Sequence, residues 1–145
     1  MNDSEHLSRF LEVWSAISAD TIDRLDQIYD ENIAFSDPLH HVQGLSSLRQ
    51  YIANMYENVT EVRFSFGKTL VDDDQACVEW VLRYAHPRLR GGEPIDIPGC
   101  SRLEFTVAGK VIRHRDYFDA GAFLYEHLPI VGSIIRALKR RLSDD

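Results

Sequence analysis

The hydrophobic pattern of this chain changes its period near Val62, and that change limits the folds that the chain can adopt. Before this point apolar residues recur every three to four positions, as in amphipathic helices. After it they alternate with polar residues in successive runs that short polar turns separate, as in half-buried strands. Helices followed by a strand meander predict an α+β fold, with the helices laid across one face of a curved, mixed or antiparallel sheet.

Three helices and a short strand are predicted before the change of period. The first helix opens at Ser4, and the second is capped by Asp20 and ends near Tyr29. The third runs from about Leu45 to Asn58, with an apolar side of Leu48, Ile52 and Met55. The segment Ile33–Asp37 is predicted to be a strand. Because strand side chains alternate, Phe35 and Asp37 share one of its faces.

Four long strands are predicted after the change of period. They are Val62–Val71, Gln75–His86, Ile95–Val107 and Lys110–Phe118. On the last strand, alternation places His114 and Asp116 on the same face as Phe118. An imidazole and a carboxylate on an inward strand face predict a polar site inside an apolar cavity. A satisfied but inert ion-paired network is the simpler interpretation of the same residues.

The overall charge and the residue usage exclude some classes of protein. A formal charge of -7 over 145 residues argues against nucleic-acid binding, and no apolar run approaches the length of a membrane span. The N-terminus lacks a secretion signal, so a cytoplasmic location is expected. Cys77 and Cys100 are predicted to be two core thiols. His40 and His41 are adjacent, and adjacent residues rarely bind one ion together, so no metal is expected. No organic cofactor is expected either.

After an interruption at Pro129, the end of the chain is predicted to form an amphipathic helix from Ile130 to Leu142, with apolar residues on one side. Its basic residues are Arg136, Lys139, Arg140 and Arg141. Docking on the body or on a second subunit is the favoured interpretation, because the segment is short and the chain is otherwise acidic. A helix resting on an anionic membrane surface is the alternative.

Two motifs give the chain a family resemblance. The early strand ends in Asp37-Pro38, and the last strand closes on Arg115-Asp116-Tyr117-Phe118-Asp119. With the leading helices and the strand meander, they resemble the nuclear transport factor 2-like superfamily, in its SnoaL-like, ketosteroid isomerase-like and limonene epoxide hydrolase-like branches. The resemblance implies a cone-shaped α+β roll over residues 1–128, with residues 129–145 as an added basic C-terminal helix and tail.

The resemblance also implies where a site would lie. Asp116 matches a pocket carboxylate of the hydrolases, and Asp37 matches the general base of the isomerases. These two residues, with His114 as a hydrogen-bonding partner, are the predicted catalytic groups. The predicted cavity wall consists of Trp14, Phe35, Glu79, Val81, Ser101, Leu103 and Phe118.

A homodimer is predicted from the strand Gln75–His86. Its residues Trp80, Leu82 and Tyr84 are expected to form an apolar stripe on the outer, convex face of the sheet. In the families that the chain resembles, this face commonly mediates dimers.

Two functions stay open on the sequence alone. The first is a cofactor-independent hydrolase, isomerase or dehydratase that uses Asp116 and Asp37 as acid and base on a small apolar molecule. The second is a non-catalytic ligand-binding or accessory domain. The sequence does not choose between them, because an alignment through Pro87 puts the arginine and second aspartate of the hydrolases at Glu79 and Val81.

Overall fold

The structure, a computed structural model, describes residues 3–57, 59–123 and 131–144 of the chain. Its helices are α1 (Asp3–Ser15), α2 (Leu45–Glu57), α3 (Ala120–Phe123) and α4 (Val131–Asp144). Its strands are β1 (Tyr29–Ser36), β2 (His41–Gln43), β3 (Glu61–Asp72), β4 (Gln75–Ala85), β5 (Ile95–Phe105) and β6 (Val111–Phe118). Short 3-10 helices lie at Ile22–Gln27 and Arg90–Gly92.

The described strands form one mixed sheet in the order β2-β1-β6-β5-β4-β3. The β1–β6 pair is parallel and the other pairs are antiparallel, since α2 and the meander carry the chain back across the sheet. This arrangement confirms the predicted α+β fold. The parallel register joins Phe35 to His114 and Ser36 to Arg115, so the end of β1 lies beside Asp116.

Helices α1 and α2 cover one face of this sheet because each has one apolar side to bury. Phe10 and Val13 of α1 and Leu48 and Ile52 of α2 are buried in the main hydrophobic core. The opposite face of the sheet carries no described helix packed in this core, and we call it the outer face. On the helix-covered face, a cavity forms where the helices stand away from the sheet.

Strand β4 presents the opposite face to the one that the sequence analysis assigned. Trp80, Leu82 and Tyr84 are buried on the helix-covered face, whereas Glu79 and Val81 are exposed on the outer face. The prediction that Glu79 and Val81 line the cavity is therefore wrong, and so is the predicted outward stripe of Trp80, Leu82 and Tyr84. The family alignment through Pro87 had shifted the strand by one residue, which moves every side chain to the other face. The more apolar set is buried because that removes more apolar area from water.

Two further expectations also need correction. Leu103 is fully buried, but it belongs to the hydrophobic core and not to the cavity wall. Cys77 is exposed and Cys100 is half-buried on the outer face, so the two are not core thiols. The exposure of the two cysteines follows from the register of β4, because Cys77 lies on the same side of that strand as the exposed Glu79.

The segment between α1 and α2 also differs from its prediction. The second helix is a short 3-10 helix, and Tyr29 begins β1 several residues earlier than expected. The β1–β6 register shifts between Tyr29 and Ala34, where the chain passes through Asp30-Glu31-Asn32. Strand β2 was not predicted, because its length of 3 residues is too short to show a period.

The predicted C-terminal helix is present as α4, and it contacts the chain just after β6. A methyl group built on Gly121 would touch Ile135 at 3.3 Å, and Lys139 forms an ion pair with Asp119. The predicted start at Ile130, the interruption at Pro129 and the proposed boundary between residues 128 and 129 lie outside the described residues. Among the helices that are described, none combines the length and apolarity that crossing a bilayer requires.

Candidate active site

A cavity of about 380 Å³ lies between the helix-covered face of the sheet and helices α1 and α2. The structure brings together in its wall the predicted residues Trp14, Phe35, Asp37, Ser101, His114, Asp116 and Phe118. Aromatic side chains of β3 and β4 complete an apolar lining, with Phe64, Phe66 and Trp80 among them. A cavity of this size, with apolar walls and a few polar groups, is typical of a small-molecule site.

The carboxylate of Asp116 is held from one side by a chain of buried side chains. Trp14 Nε1 lies 3.1 Å from the hydroxyl oxygen of Tyr29, which lies 2.7 Å from His114 Nδ1. His114 Nε2 in turn lies 2.6 Å from Asp116 Oδ1. An indole N–H can only donate, so the hydroxyl oxygen of Tyr29 accepts from Trp14, and its own O–H is directed at His114 Nδ1. In this arrangement the ring N–H of His114 lies on Nε2 and donates to the carboxylate.

Tyr29 keeps the proton that this arrangement needs. Burial raises the pKa of Tyr29 well above its usual range, and the nearby charge of Asp116 adds to the rise. The hydroxyl is therefore a permanent donor to His114 Nδ1. This fixes the tautomer of His114 and the direction of the bond to Asp116.

A second chain reaches Asp116 from the opposite side. Trp80 Nε1 donates to Ser101 Oγ at 2.8 Å, and Ser101 donates to Asp116 Oδ1 at 2.5 Å. Both chains end on Oδ1, and within the described residues no donor reaches Oδ2. The Asp116 side chain is 15% exposed, so this second oxygen is the one left for a ligand.

Asp37, the other predicted catalytic carboxylate, is already occupied. Its Oδ1 accepts the backbone N–H groups of Leu39 and His40 at 2.8 and 2.7 Å. Its Oδ2 accepts the hydroxyl of Tyr51 at 2.5 Å. Burial, together with this hydrogen bond to Asp37, raises the pKa of Tyr51 above its usual range, so Tyr51 remains a donor. Asp37 therefore holds the turn after β1 against α2.

The two adjacent histidines lie on opposite faces of the sheet edge. His40 lines the cavity, whereas His41 pairs with Ser36 on the outer face. Across the described ranges, no group of three or more His, Cys, Asp or Glu side chains is placed to hold a metal ion.

Tyr51 and Trp80 are site residues that the sequence analysis missed, and each left a signal. Tyr51 lies three residues after Leu48, on the apolar side of α2 that was identified from Leu48, Ile52 and Met55. Trp80 belongs to the more apolar alternate set of β4, and such a set is normally buried. Tyr29 was expected at the end of a helix, where it could not be placed beside His114.

We predict that Tyr29→Phe destabilises the protein by about 1–3 kcal/mol, because it leaves the buried donor of Trp14 and His114 Nδ1 without partners. Urea unfolding measures the loss. Tyr56→Phe is the matched control: Tyr56 is a half-buried tyrosine with no hydrogen bond to the described residues, so its loss should be small.

The nitrogen chemical shifts of the His114 ring provide a second readout for this variant. The wild-type protein should show protonated Nε2, and Tyr29→Phe should show a mixture of tautomers. A wild-type His114 protonated on Nδ1 would contradict the direction of the chain.

Comparison with known proteins gives a family and a fold. The sequence model described as the SnoaL-like domain matches residues 7–114. That range includes β1, α2 and most of the sheet, and it ends at His114. No curated protein matches the sequence.

Several solved structures share the fold at low sequence identity. A candidate SnoaL-like polyketide cyclase from Jannaschia sp. CCS1 is 20% identical with a TM-score of 0.70, over 84% of this chain and 88% of that one. A protein from Catenulispora acidiphila with a ketosteroid isomerase-like fold, in complex with trimethylamine, is 15% identical with a TM-score of 0.69, over 83% and 89%. TerC, co-crystallised with polyporic acid, is 13% identical with a TM-score of 0.70, over 81% and 94%.

Proposed function

Because the chain belongs to the SnoaL-like domain family, we propose that it binds a small, largely apolar molecule in the cavity and moves a proton of that molecule with Asp116. No organic cofactor takes part in this proposal. The observation that supports it most directly is the state of Asp116, a cavity-lining residue whose Oδ1 accepts two hydrogen bonds while no donor of the described residues reaches Oδ2. A carboxylate held in this way can accept a proton without moving.

The chemistry that fits this carboxylate begins at a carbon next to a carbonyl group. Asp116 Oδ2 takes the proton, the C–H bond breaks, and its electron pair moves onto the carbonyl oxygen to give an enolate. Return of the proton to another atom of the enolate gives an isomer. Attack of the enolate carbon on a second carbonyl of the same molecule closes a ring, and Asp116 then returns its proton to the new alkoxide.

The other polar groups have supporting roles in this proposal. His114 and Ser101 position the carboxylate, and Asp37 positions Tyr51 and the turn after β1. Asn54 of α2 accepts a hydrogen bond from Gln50 on its Oδ1, which leaves its amide N–H groups to contact the enolate oxygen. The small ligands in the Catenulispora protein and in TerC support small-molecule binding in this fold.

Binding and catalysis can be tested separately with 2-tetralone, a fused-ring ketone with an enolisable carbon. The chain contains two tryptophans, Trp14 and Trp80, and both line the cavity, so quenching of their fluorescence reports binding there. Deuterium exchange into 2-tetralone in D₂O, followed by nuclear magnetic resonance, reports proton abstraction. We expect both quenching and exchange faster than in protein-free buffer. Quenching without faster exchange would contradict the catalytic proposal.

A non-catalytic ligand-binding or accessory domain is the second candidate. The hydrogen bonds of Asp37 favour this candidate, because both of its oxygens already accept donors. Of the two carboxylates that were predicted to be catalytic, only Asp116 then has an oxygen that no described donor reaches. Binding of 2-tetralone with no acceleration of exchange is the result that this candidate predicts.

A homodimer through the outer, convex face also remains a proposal, as does the cytoplasmic location. The exposed apolar side chains that this face offers include Val81 and Tyr117. Light scattering at micromolar concentration should give twice the chain mass of 16.7 kDa. Val81→Asp should then favour the monomer, whereas Val71→Asp, with equal exposure on the other face, should not. A monomeric wild-type protein would contradict the proposal.

A further inference from the structure

Helix α4 carries an exposed apolar stripe. Ile134, Leu138 and Leu142 are 56%, 53% and 75% exposed. They lie four residues apart, so they share one side of the helix. Three large aliphatic side chains in one row at the surface are a feature that calls for a covering partner.

The stripe is not the side by which α4 contacts the body of the protein. Ile135 packs near Gly121, and Lys139 forms an ion pair with Asp119. These residues follow the stripe residues Ile134 and Leu138 by one position each, so they lie about 100° around the helix. The described contacts therefore attach α4 along one side and leave the adjacent side open.

The charge of α4 indicates what covers the stripe. Its basic residues are Arg136, Lys139, Arg140 and Arg141, against Asp144 at its end, in a chain of formal charge -7. Arg141 directly adjoins the stripe, since it lies three residues after Leu138 and one before Leu142. An apolar stripe beside basic residues is suited to an anionic lipid surface, where long basic side chains reach the headgroups.

A second helix packed on the stripe is the competing occupant, since side chains four residues apart also form the ridges by which helices pack. Arg141 would then lie in or beside that interface. Its charge favours an anionic lipid surface over an apolar helix face.

The position of α4 relates the stripe to the cavity. Along β6 the cavity residue His114 is buried, whereas Asp116 and Phe118 are both half-buried. The cavity wall is therefore more exposed toward the end of β6 than at His114. Asp119, which anchors α4, is the next residue in the chain after Phe118.

We propose that α4 binds an anionic lipid bilayer through Ile134, Leu138 and Leu142 and the adjoining Arg141, and that it holds the more exposed end of the cavity near that surface. An apolar ligand would then enter from the lipid, where its concentration is highest. The choice of ligand source rests on the proposed function, whereas the binding of α4 to lipid does not.

Sedimentation with vesicles tests the lipid contact, using phosphatidylcholine alone and phosphatidylcholine mixed with phosphatidylserine. We expect the full chain to sediment with the mixed vesicles only, and less so as salt is raised. Leu138→Ser should lower the partition coefficient by about ten-fold. Arg141→Gln should lower it by about five-fold, the usual effect of one basic residue close to such a surface.

Matched variants elsewhere on the surface serve as controls. Leu70→Ser removes an exposed leucine of β3, and Arg88→Gln removes an exposed arginine after β4; neither should change vesicle binding. Equal binding by Leu138→Ser and the wild type would overturn the proposal, and so would the absence of binding to mixed vesicles. If Leu138→Ser converted a dimer to a monomer without any vesicle binding by the wild type, the stripe would belong to a second copy of the chain.

The failure of this proposal can be distinguished from failure of the proposed function. Asp116→Asn should bind mixed vesicles as the wild type does, and Leu138→Ser should still show quenching by 2-tetralone in the absence of lipid. Vesicle binding without proton exchange would overturn the catalytic proposal alone. Exchange without vesicle binding would overturn the lipid proposal alone.

Discussion

Asp116→Asn is expected to lower the rate of deuterium exchange into 2-tetralone by about 100- to 10,000-fold, the usual contribution of a positioned general base. Asparagine has nearly the same shape, and its Oδ1 can still accept the hydrogen bonds of Ser101 and His114. The amide nitrogen that replaces Oδ2 cannot accept a proton from the ligand near neutral pH. The variant should therefore lose the reaction while it keeps its fold and its binding of 2-tetralone.

Two other carboxylates serve as comparisons for this variant. Glu79→Gln changes an exposed carboxylate on the outer face and should leave the exchange rate unchanged. Asp37→Asn weakens the contacts of Tyr51 and the turn after β1, so we expect a smaller loss of rate together with weaker binding. An Asp116→Asn variant that exchanges at the wild-type rate would rule out Asp116 as the base.

Gly99→Ala is expected to destabilise the protein by about 1–3 kcal/mol, as overpacking in a close-packed interior generally does. Gly99 pairs with Trp80 across β4 and β5, and a methyl group built on it would overlap the indole ring of Trp80. The ring would have to move, and the hydrogen bond from Trp80 to Ser101 would be lost. We therefore expect weaker binding of 2-tetralone as well as a lower free energy of unfolding.

The matched control for this variant is Gly67→Ala on β3. A methyl group there would meet its nearest atom at 3.6 Å, which is ordinary van der Waals contact, so urea unfolding should show little change. A double variant with Trp80→Phe should recover part of the stability lost in Gly99→Ala, because the smaller ring leaves room for the methyl group. A Gly99→Ala protein as stable as the wild type would show that the indole is not confined by Gly99.

The two edges of the site differ in how well the sequence predicted them. On β6, alternation alone predicted that His114 and Asp116 share one face, since shifting the strand by one residue would have buried Arg113 and Arg115 instead. On β1, alternation likewise predicted the buried side of Phe35. On β4 the same alternation favours burial of Trp80, Leu82 and Tyr84, whereas the alignment through Pro87 assigned these residues to the outer face. The buried set of a strand is better decided by its own apolar residues than by such an alignment.

The rest of the site depends on contacts that no local pattern contains. Tyr29 reaches His114 because β1 and β6 are parallel neighbours, and the two residues are 85 positions apart in the chain. Asp37 looked like a free carboxylate in the sequence, because the donors of the turn and of Tyr51 act on it only once α2 is in place. The sequence therefore predicted that Asp37, His114 and Asp116 line the cavity, but not which of them keep an oxygen or nitrogen free to contact a ligand.

The two tryptophans limit where a proton can travel inside this protein. The chains that end on Asp116 Oδ1 begin at Trp14 and at Trp80, and an indole N–H neither accepts a proton nor readily gives one up. Neither of these two hydrogen-bonded chains can therefore carry a proton away from Asp116. Within the part of the chain that the structure describes, a proton taken by Asp116 has no relay to the far side of the molecule, so it returns to the ligand or leaves with water through the cavity. Such an enclosure favours reactions that finish with the proton they started with, and it disfavours those that need a net supply or removal of protons.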